Sequence, residues 1–261
     1  MKRARVMFRG DRHMATADGS GLRLDDGRSV ADDEVVWLPP VEPRTIFAVG
    51  LNYAAHAREL EFVPQQQPLV FLKGPNSVAG HRSRTPRPAD VKFMHYECEL
   101  AVVIGRTARN VPANAALAHV AGYTVANDYA VRDYLENYYR PNLRVKNRDG
   151  ATLLGPWLID ADDIGDPANL ELRTTVNGQV TQRGNTRDMI LSVDRLIEYL
   201  SSFMTLDAGD VILTGTPEGV VNVNPGDEVV TEIEGVGRLV GFITEDVAEV
   251  AALAGRFAWD D

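Results

Sequence analysis

The chain of 261 residues carries a formal net charge of −10, has an ordinary apolar fraction and contains one cysteine. The negative charge argues against a nucleic-acid partner, because such partners are bound by basic surfaces. No apolar run approaches the length that spans a bilayer, and the basic residues 1–6 lack the apolar stretch of a secretory signal. Since a single cysteine also excludes an internal disulfide, we expect a cytoplasmic protein without membrane contact.

The first forty residues differ in pattern from the rest of the chain. Short strand-like runs alternate there with Asp-Gly turn pairs, and Pro39-Pro40 reads as a linker. The total length is near the upper limit for one hydrophobic core. The sequence therefore predicts a small N-terminal β unit at residues 1–40 and a larger domain at residues 41–261.

Strands dominate the elements predicted for the larger domain. The patterns predict strands at residues 46–50, 69–73, 99–104, 122–127, 211–214, 228–234 and 238–243, and a hairpin of residues 170–176 and 180–183 around Asn177-Gly178. Helices are predicted at residues 52–60, 112–120, 131–139 and 193–204, the last capped by Ser192. Many short strands joined by glycine turns indicate a mainly β fold with some helices, rolled or sandwiched.

Two glutamates, Glu97 and Glu99, stand two residues apart beside a strongly apolar strand. Residues two apart in a strand point to the same face, so this spacing places both carboxylates side by side. Unpaired charge beside apolar residues is costly, and a divalent cation would remove that cost. Oxygen ligands favour Mg²⁺, Mn²⁺ or Ca²⁺ over Zn²⁺. Spacing alone nevertheless favours the simpler alternative, an exposed strand end with two solvated glutamates.

Other polar residues are ambiguous when each is taken alone. Asp128 ends a predicted strand before a predicted helix, so it is a candidate third ligand or a helix cap. His56 and Glu59 share one face of a predicted helix, or form an ordinary surface pair. Lys146 lies in a basic segment that also fits a solvated turn. The glycine loop around Thr216 would aim N–H groups at an anion, or simply reverse the chain.

The order of these motifs resembles the fumarylacetoacetate hydrolase family over about residues 44–245. The matching segments are, in chain order, a lid-like segment at residues 50–59, Phe71-Leu72-Lys73, His95-Tyr96-Glu97-Cys98-Glu99-Leu100, Asn127-Asp128, Lys146 and Thr214-Gly215-Thr216-Pro217. Within the family, residues 127–146 are most similar to the isomerase/decarboxylases of the homoprotocatechuate pathway. The resemblance implies a mixed β-sandwich roll and a homodimer or larger homo-oligomer.

The resemblance also implies roles for individual residues. Mg²⁺ or Mn²⁺ would be bound by Glu97, Glu99 and Asp128. Catalysis would involve Lys146, His56 and Glu59, the last two on a lid. Substrate would be bound by Lys73, Arg132, Arg140 and Thr216. Either Arg140 or Arg144 would hold a distal carboxylate, and a solvated basic loop is the open alternative for both.

The implied substrate is a small keto or enol acid with two or three carboxylates. Loss of CO₂, or migration of a double bond, would pass through an enolate that a chelating metal and a lysine stabilise. The implied activity is therefore a metal-dependent isomerase/decarboxylase of 2-keto or 2-hydroxydienoic acids in 4-hydroxyphenylacetate degradation. The alternatives are an acylpyruvate-type C–C bond hydrolase, an oxaloacetate decarboxylase or tautomerase, and a metal-stabilised binding protein.

Overall fold

The computed structural model describes residues 1–19, 21–59, 67–135 and 143–246. Strands predominate in these residues, and they form a large mixed sheet, a five-stranded sheet and a two-stranded ribbon. The mainly β fold predicted from the sequence is confirmed. In the described part of the chain, no helix is long and apolar enough to cross a membrane.

The strands are short and follow one another closely along the chain. In the first half they are β1 (Lys2–Phe8), β2 (Asp11–Asp18), β3 (Gly21–Leu24), β4 (Ser29–Val30), β5 (Val36–Leu38), β6 (Ile46–Gly50), β7 (Leu69–Lys73), β8 (Val78–Ala79), β9 (Ser83–Arg87), β10 (Met94–His95), β11 (Cys98–Ile104), β12 (Val120–Asp128) and β13 (Ala130–Val131). The later strands are β14 (Thr152–Asp160), β15 (Glu171–Val176), β16 (Gln179–Asn185), β17 (Val211–Leu213), β18 (Glu228–Ile233) and β19 (Gly237–Glu245). The helices are α1 (Ala54–Glu59), α2 (Ala113–Ala116), α3 (Leu143–Lys146) and α4 (Val193–Phe203).

The two main sheets pack against each other. The large sheet has the order β4-β3-β2-β1-β14-β12-β11-β17-β6-β7, with β5 beside β1 and β8 beside β14. The smaller sheet has the order β16-β15-β18-β19-β9, and its strands β15, β18 and β19 lie against β11, β12 and β14. Strand β11 is buried along its whole length, as expected of a central strand covered on both faces.

The N-terminal strands β1 to β5 join the large sheet through β1, whose Lys2 pairs with Ile159 of β14. They also enclose a small apolar cluster of their own, which includes Val6, Phe8 and Trp37. The domain boundary at residue 40 stays a prediction.

One local prediction was wrong. The helix expected at residues 131–139 is replaced, as far as it is described, by the end of β13 and one 3₁₀ turn over Arg132–Tyr134. Its apolar spacing fits a helix, but Ala130–Val131 pairs with Met94–His95 in a ribbon that local spacing cannot reveal. Ser192 occupies the N-cap position of α4, as predicted, although its side chain makes no capping hydrogen bond and its hydroxyl donates to the Asp194 carboxylate.

Candidate metal centre

The pairing of β11 with β12 brings three carboxylates together. Cys98 pairs with Asn127, and the Asp128 N–H donates to the Glu97 carbonyl at 2.9 Å. One oxygen of Glu97, one of Glu99 and one of Asp128 all lie within 4.8 Å of one another. The three residues are only 7%, 2% and 0% exposed, respectively. Glu97 and Glu99 are therefore not a solvated strand end, and Asp128 is not a helix cap.

Two buried lysines reach into this cluster. The Lys146 ammonium donates to Glu97 at 2.5 Å and to Asp128 at 3.0 Å. Burial opposes its charge, but the attraction of the two carboxylates is stronger and raises the pKa of Lys146. Lys73 donates to the other Asp128 oxygen at 2.5 Å and to the Lys146 carbonyl. Lys73 thus orients a candidate ligand, and the role in substrate binding expected for it stays a prediction.

Glu99 is the carboxylate that lacks a cation. The ion pairs of the cluster use Glu97 and Asp128, and no ion pair among the described residues involves Glu99. Its carboxylate accepts the Gly215 N–H at 2.6 Å. Burial and the nearby Asp128 and Glu97 charges raise the pKa of Glu99 well above its usual range. An oxygen-only cluster with one uncompensated carboxylate fits a hard divalent cation such as Mg²⁺ or Mn²⁺.

Arg132 approaches Glu97 from the turn after β13. Its Nη2 lies 3.4 Å from a Glu97 oxygen, and its Nε–H donates to His95 Nε2 at 2.6 Å. His95 in turn donates its Nδ1–H to the Tyr96 carbonyl at 3.0 Å. Burial lowers the pKa of His95 to about 3, so the ring is neutral and can accept from Arg132. Sequence reasoning assigned no role to His95, whose partner is 37 residues away.

Helix α1 carries the predicted pair of His56 and Glu59. His56 Nδ1–H donates to one Glu59 oxygen at 2.9 Å, and the Gly219 N–H donates to the other at 3.0 Å. His56 is buried, and it lies close enough to Glu97 for the two to interact electrostatically. The pair is therefore not an ordinary surface pair, because it lies beside the carboxylate cluster.

Asn52, which precedes α1, attaches the start of this helix to Thr214 and Leu191. Its side-chain amide donates to the Thr214 carbonyl at 2.8 Å and to the Leu191 carbonyl at 3.0 Å. Its side-chain oxygen accepts the Leu191 N–H at 2.9 Å. Gly215 has a φ of +90°, and a Cβ there would lie 2.9 Å from the Asn52 Cβ. The close approach of loop and helix therefore requires glycine.

Thr216 lies in the loop that connects the two halves of the site. One residue before it, Gly215 contacts Glu99, and three residues after it, Gly219 contacts Glu59. Thr216 is buried, and its role as a substrate-binding residue stays a prediction.

The two remaining arginine predictions concern residues near α3. Arg140 lies outside the described residues. Arg144 is exposed, and its guanidinium lies 3.8 Å from the centre of the Tyr134 ring. Its binding of a distal carboxylate stays a prediction.

A separate cleft of about 1100 Å³ lies between the N-terminal strands and the five-stranded sheet, and Trp37, Trp157 and Arg173 are among its lining residues. None of the clustered carboxylates lines it. We therefore place the functional site at the carboxylates, where buried charge and acid–base groups meet.

Comparison with known proteins agrees with this geometry. Residues 45–244 match the family described as Fumarylacetoacetate (FAA) hydrolase C-terminal. The chain belongs to the fumarylacetoacetate hydrolase family. The resemblance inferred from the motifs is thereby confirmed.

A relative from Salmonella dublin is named 4-hydroxyphenylacetate degradation bifunctional isomerase/decarboxylase. It is 56% identical over 246 residues, which cover 92% of this chain and 57% of that protein. A protein of the same name from Escherichia coli is 59% identical over 86% of this chain and 52% of its own length. The chain thus spans about half the length of these curated relatives.

Solved structures of the family share the fold. The 5-carboxymethyl-2-hydroxymuconate delta-isomerase from Mycobacterium smegmatis has a TM-score of 0.83 and 38% identity, covering 94% of this chain and 99% of that one. Fumarylpyruvate hydrolase from Pseudomonas aeruginosa, in complex with Mn²⁺ and pyruvate, has a TM-score of 0.74 and 33% identity. The match covers 80% of this chain and 92% of the hydrolase.

Proposed function

We propose that this family member is a Mg²⁺- or Mn²⁺-dependent isomerase/decarboxylase in the degradation of 4-hydroxyphenylacetate through homoprotocatechuate. Its substrates are 2-keto or 2-hydroxydienoic acids with two or three carboxylates. The observation that carries the proposal is the buried cluster of Glu97, Glu99 and Asp128 with the Lys146 ammonium beside it. The identity of 56% with the Salmonella dublin isomerase/decarboxylase supports the choice of reaction.

In this proposal Glu97, Glu99 and Asp128 hold the cation. Mg²⁺ or Mn²⁺ held there would supply a Lewis acid for the 2-keto acid end of the substrate. Lys146 keeps an ammonium group in a buried site, where a fixed charge acts far more strongly than it does in water. It stabilises the negative charge that develops on the substrate during the reaction.

Arg132 and Thr216 are proposed to hold substrate oxygens. The Nε–H of Arg132 is engaged by His95, and its Nη2 contacts Glu97 at 3.4 Å. Nη1 is therefore the nitrogen that we propose for a charge-assisted hydrogen bond to a substrate oxygen. Lys73, Arg140 and Arg144 complete the proposed set for the remaining carboxylates.

His56 and Glu59 are proposed to move protons. Glu59 accepts the Nδ1–H of His56, so Nε2 is the ring nitrogen that we propose for proton transfer. In isomerisation His56 removes a proton from one carbon of the conjugated acid and returns it to another. In decarboxylation the C–C bond to the leaving carboxylate breaks, its electron pair enters the conjugated keto system, and a proton is delivered to carbon.

A C–C bond hydrolase of acylpyruvates is the second candidate. It is favoured by the similarity to fumarylpyruvate hydrolase, at 33% identity and a TM-score of 0.74. In that reaction His56, oriented by Glu59, would take a proton from a water that attacks the distal carbonyl. The product would be pyruvate rather than CO₂.

The proposal includes a homodimer or a larger homo-oligomer that acts on free small molecules in the cytoplasm. Light scattering of the purified chain at micromolar concentration gives its mass directly. A mass of two or more chains is expected, and a monomer across the whole concentration range would contradict this part.

The reaction is tested by incubating the purified chain and Mg²⁺ with a panel of keto diacids and acylpyruvates. Release of CO₂ and the absorbance of the enol are followed together, with the Glu97→Gln variant as a control for contaminating activity. CO₂ release or double-bond migration that the variant lacks is expected. Pyruvate release from an acylpyruvate without either reaction would replace the isomerase/decarboxylase by the hydrolase.

A further inference from the structure

Gln182 extends from β16, in the five-stranded sheet, to the loop that carries Thr216. Its side chain is buried, and the residue is 1% exposed. The amide nitrogen donates to the Pro217 carbonyl at 2.7 Å and to the Thr216 hydroxyl oxygen at 2.8 Å. The amide oxygen accepts the Thr174 hydroxyl at 2.9 Å. Among the described residues, the amide thus makes three polar contacts, all within the protein.

These contacts determine the direction of the Thr216 hydroxyl. A carbonyl only accepts, so the nitrogen of Gln182, and not its oxygen, must face Pro217. The same nitrogen donates to Thr216, whose hydroxyl oxygen is therefore an acceptor toward Gln182. A hydroxyl has one proton, and that proton must point to another group. Thr216 is left as a hydrogen-bond donor on the side away from Gln182.

The loop around Thr216 is held tightly against β16. A Cβ at Gly184 would lie 2.7 Å from the Pro217 side chain, and a Cβ at Gly219 would lie 2.5 Å from the Thr181 carbonyl. Tyr96, which precedes a candidate ligand, donates its hydroxyl to the Gly219 carbonyl at 3.0 Å. Such close contacts hold the loop of Thr216 against the strand that carries Gln182.

We propose that Gln182 is a positioning residue that keeps the Thr216 hydroxyl as a donor to the carboxylate of the bound 2-keto acid. In its loop, Thr216 lies between Gly215, which donates to the candidate metal ligand Glu99, and Gly219, which donates to Glu59 of the proposed acid–base pair. A carboxylate only accepts hydrogen bonds, so it matches a donor that the protein has fixed in advance. The inference rests on the proposed function, because it takes a keto acid as the ligand.

The test uses Gln182→Glu, which keeps the size of the side chain but removes its donors. The new carboxylate only accepts, so it draws the Thr216 proton toward itself and away from the ligand. We expect Mg²⁺-dependent binding of oxalate, measured by calorimetry, to weaken about ten- to a hundredfold, as for a lost hydrogen bond to a charged group.

Thr216→Val should weaken oxalate binding by a similar factor, and Thr216→Ser should keep it. Gln179→Glu makes the same charge change at an exposed position of β16 and should leave oxalate binding unchanged.

The double variant separates positioning from general damage. If Gln182 acts through Thr216, adding Gln182→Glu to Thr216→Val weakens oxalate binding by less than about twofold more. With a turned-over substrate, Gln182→Glu should raise KM far more than it lowers kcat, because the contact is made in the ground state as well. The Mg²⁺ affinity should stay within about threefold of that of the unchanged chain, since the carboxylate cluster is untouched.

Oxalate binding by Gln182→Glu within twofold of the unchanged chain would overturn the inference. Losses from Gln182→Glu and Thr216→Val that multiply in the double variant would overturn it too. Oxalate binding is measured without turnover. A failure of the Gln182 inference can therefore be told apart from a failure of the proposed reaction. A chain that binds oxalate as expected but releases no CO₂ and moves no double bond would refute the isomerase/decarboxylase and leave the Gln182 inference standing.

Discussion

The carboxylate side of the site and the α1 side differ in how their residues are held in place. Glu99 and Asp128 belong to central paired strands, with Glu97 next to them. The buried Lys146 bridges Glu97 and Asp128, and the buried Lys73 donates to Asp128. His56 and Glu59 lie on a helix of six residues that is fastened to the rest of the site by a few hydrogen bonds, one from Gly219 and the others through Asn52. A helix this short has little stability of its own.

This difference suggests a division of labour. Charges that must bind a cation are fixed by the ladder of β11 and β12, because a metal needs its ligands in place beforehand. The proposed proton-transfer groups lie on an element that we expect to open and close over a substrate. The following predictions test whether the two sides behave differently.

The largest effect should follow removal of the cation. Treatment with a strong chelator should reduce turnover to the background rate, because the proposed reaction needs the cation, and Glu99 forms no ion pair among the described residues that could replace it. Adding Mg²⁺ or Mn²⁺ back should restore turnover. Full turnover in metal-free buffer after exhaustive chelation would break the link between the carboxylate side and catalysis.

The next largest effect should come from Lys146→Ala. An ammonium group that acts on developing charge contributes to the transition state, so kcat should fall about a hundred- to a thousandfold while KM changes little. Lys92→Ala, at an exposed lysine, is the matched control and should leave both constants unchanged. Steady-state kinetics beside calorimetric Mg²⁺ binding provide the measurement. Unchanged kcat would remove Lys146 from the mechanism, and a rise in KM alone would make it a carboxylate-binding residue.

A smaller effect should appear in the pH dependence of metal binding. The raised pKa of Glu99 means that its carboxyl carries a proton at low pH in the metal-free chain, and that proton must leave before the metal binds. The Mg²⁺ affinity should therefore rise with pH, by about tenfold per unit while one proton is released, and level off above the Glu99 pKa. Calorimetry in two buffers with different ionisation enthalpies counts the released protons. A Mg²⁺ affinity that is independent of pH, with no proton release, would contradict the binding of Mg²⁺ by a cluster that includes Glu99.

The smallest effect should be the ordering of α1. Backbone amides of residues 52–59 should exchange more slowly with deuterium when Mg²⁺ and a substrate analogue are bound, because closure shields them. Amides of β11 should show little change, since that strand is already buried and paired. Equal exchange of residues 52–59 with and without a saturating analogue would mean that the two sides do not differ in mobility.

Much of the fold was predictable because local patterns agree with the tertiary structure. Strands β6 and β7 have the predicted bounds, since each is a short apolar run between turn residues. The hairpin of β15 and β16 turns at Asn177 and Gly178, whose φ angles of 50° and 79° suit the left-handed turn that this pair favours. Where a turn dipeptide or an unbroken apolar run sets the structure, the sequence alone was sufficient.

The site was predictable only in part. The ligand candidates could be named because their spacing and order match a known family, whereas the positioning residues could not. His95 acts on Arg132 and Gln182 acts on Thr216 across separations of 37 and 34 residues. No local sequence pattern predicts a contact between residues that far apart. The same limitation explains the helix wrongly predicted after Ala130, where pairing with β10 outweighs local spacing.

The central claim is that Glu97, Glu99 and Asp128 bind one divalent cation. Equilibrium dialysis against Mn²⁺ measures this directly for the unchanged chain and for Glu97→Gln, which keeps the size of the side chain and removes its charge. We predict one Mn²⁺ per chain in the first case and none at the same concentration in the second, with circular dichroism showing an intact fold in both. Equal Mn²⁺ binding by the two proteins would contradict the claim, as would the absence of binding by the unchanged chain.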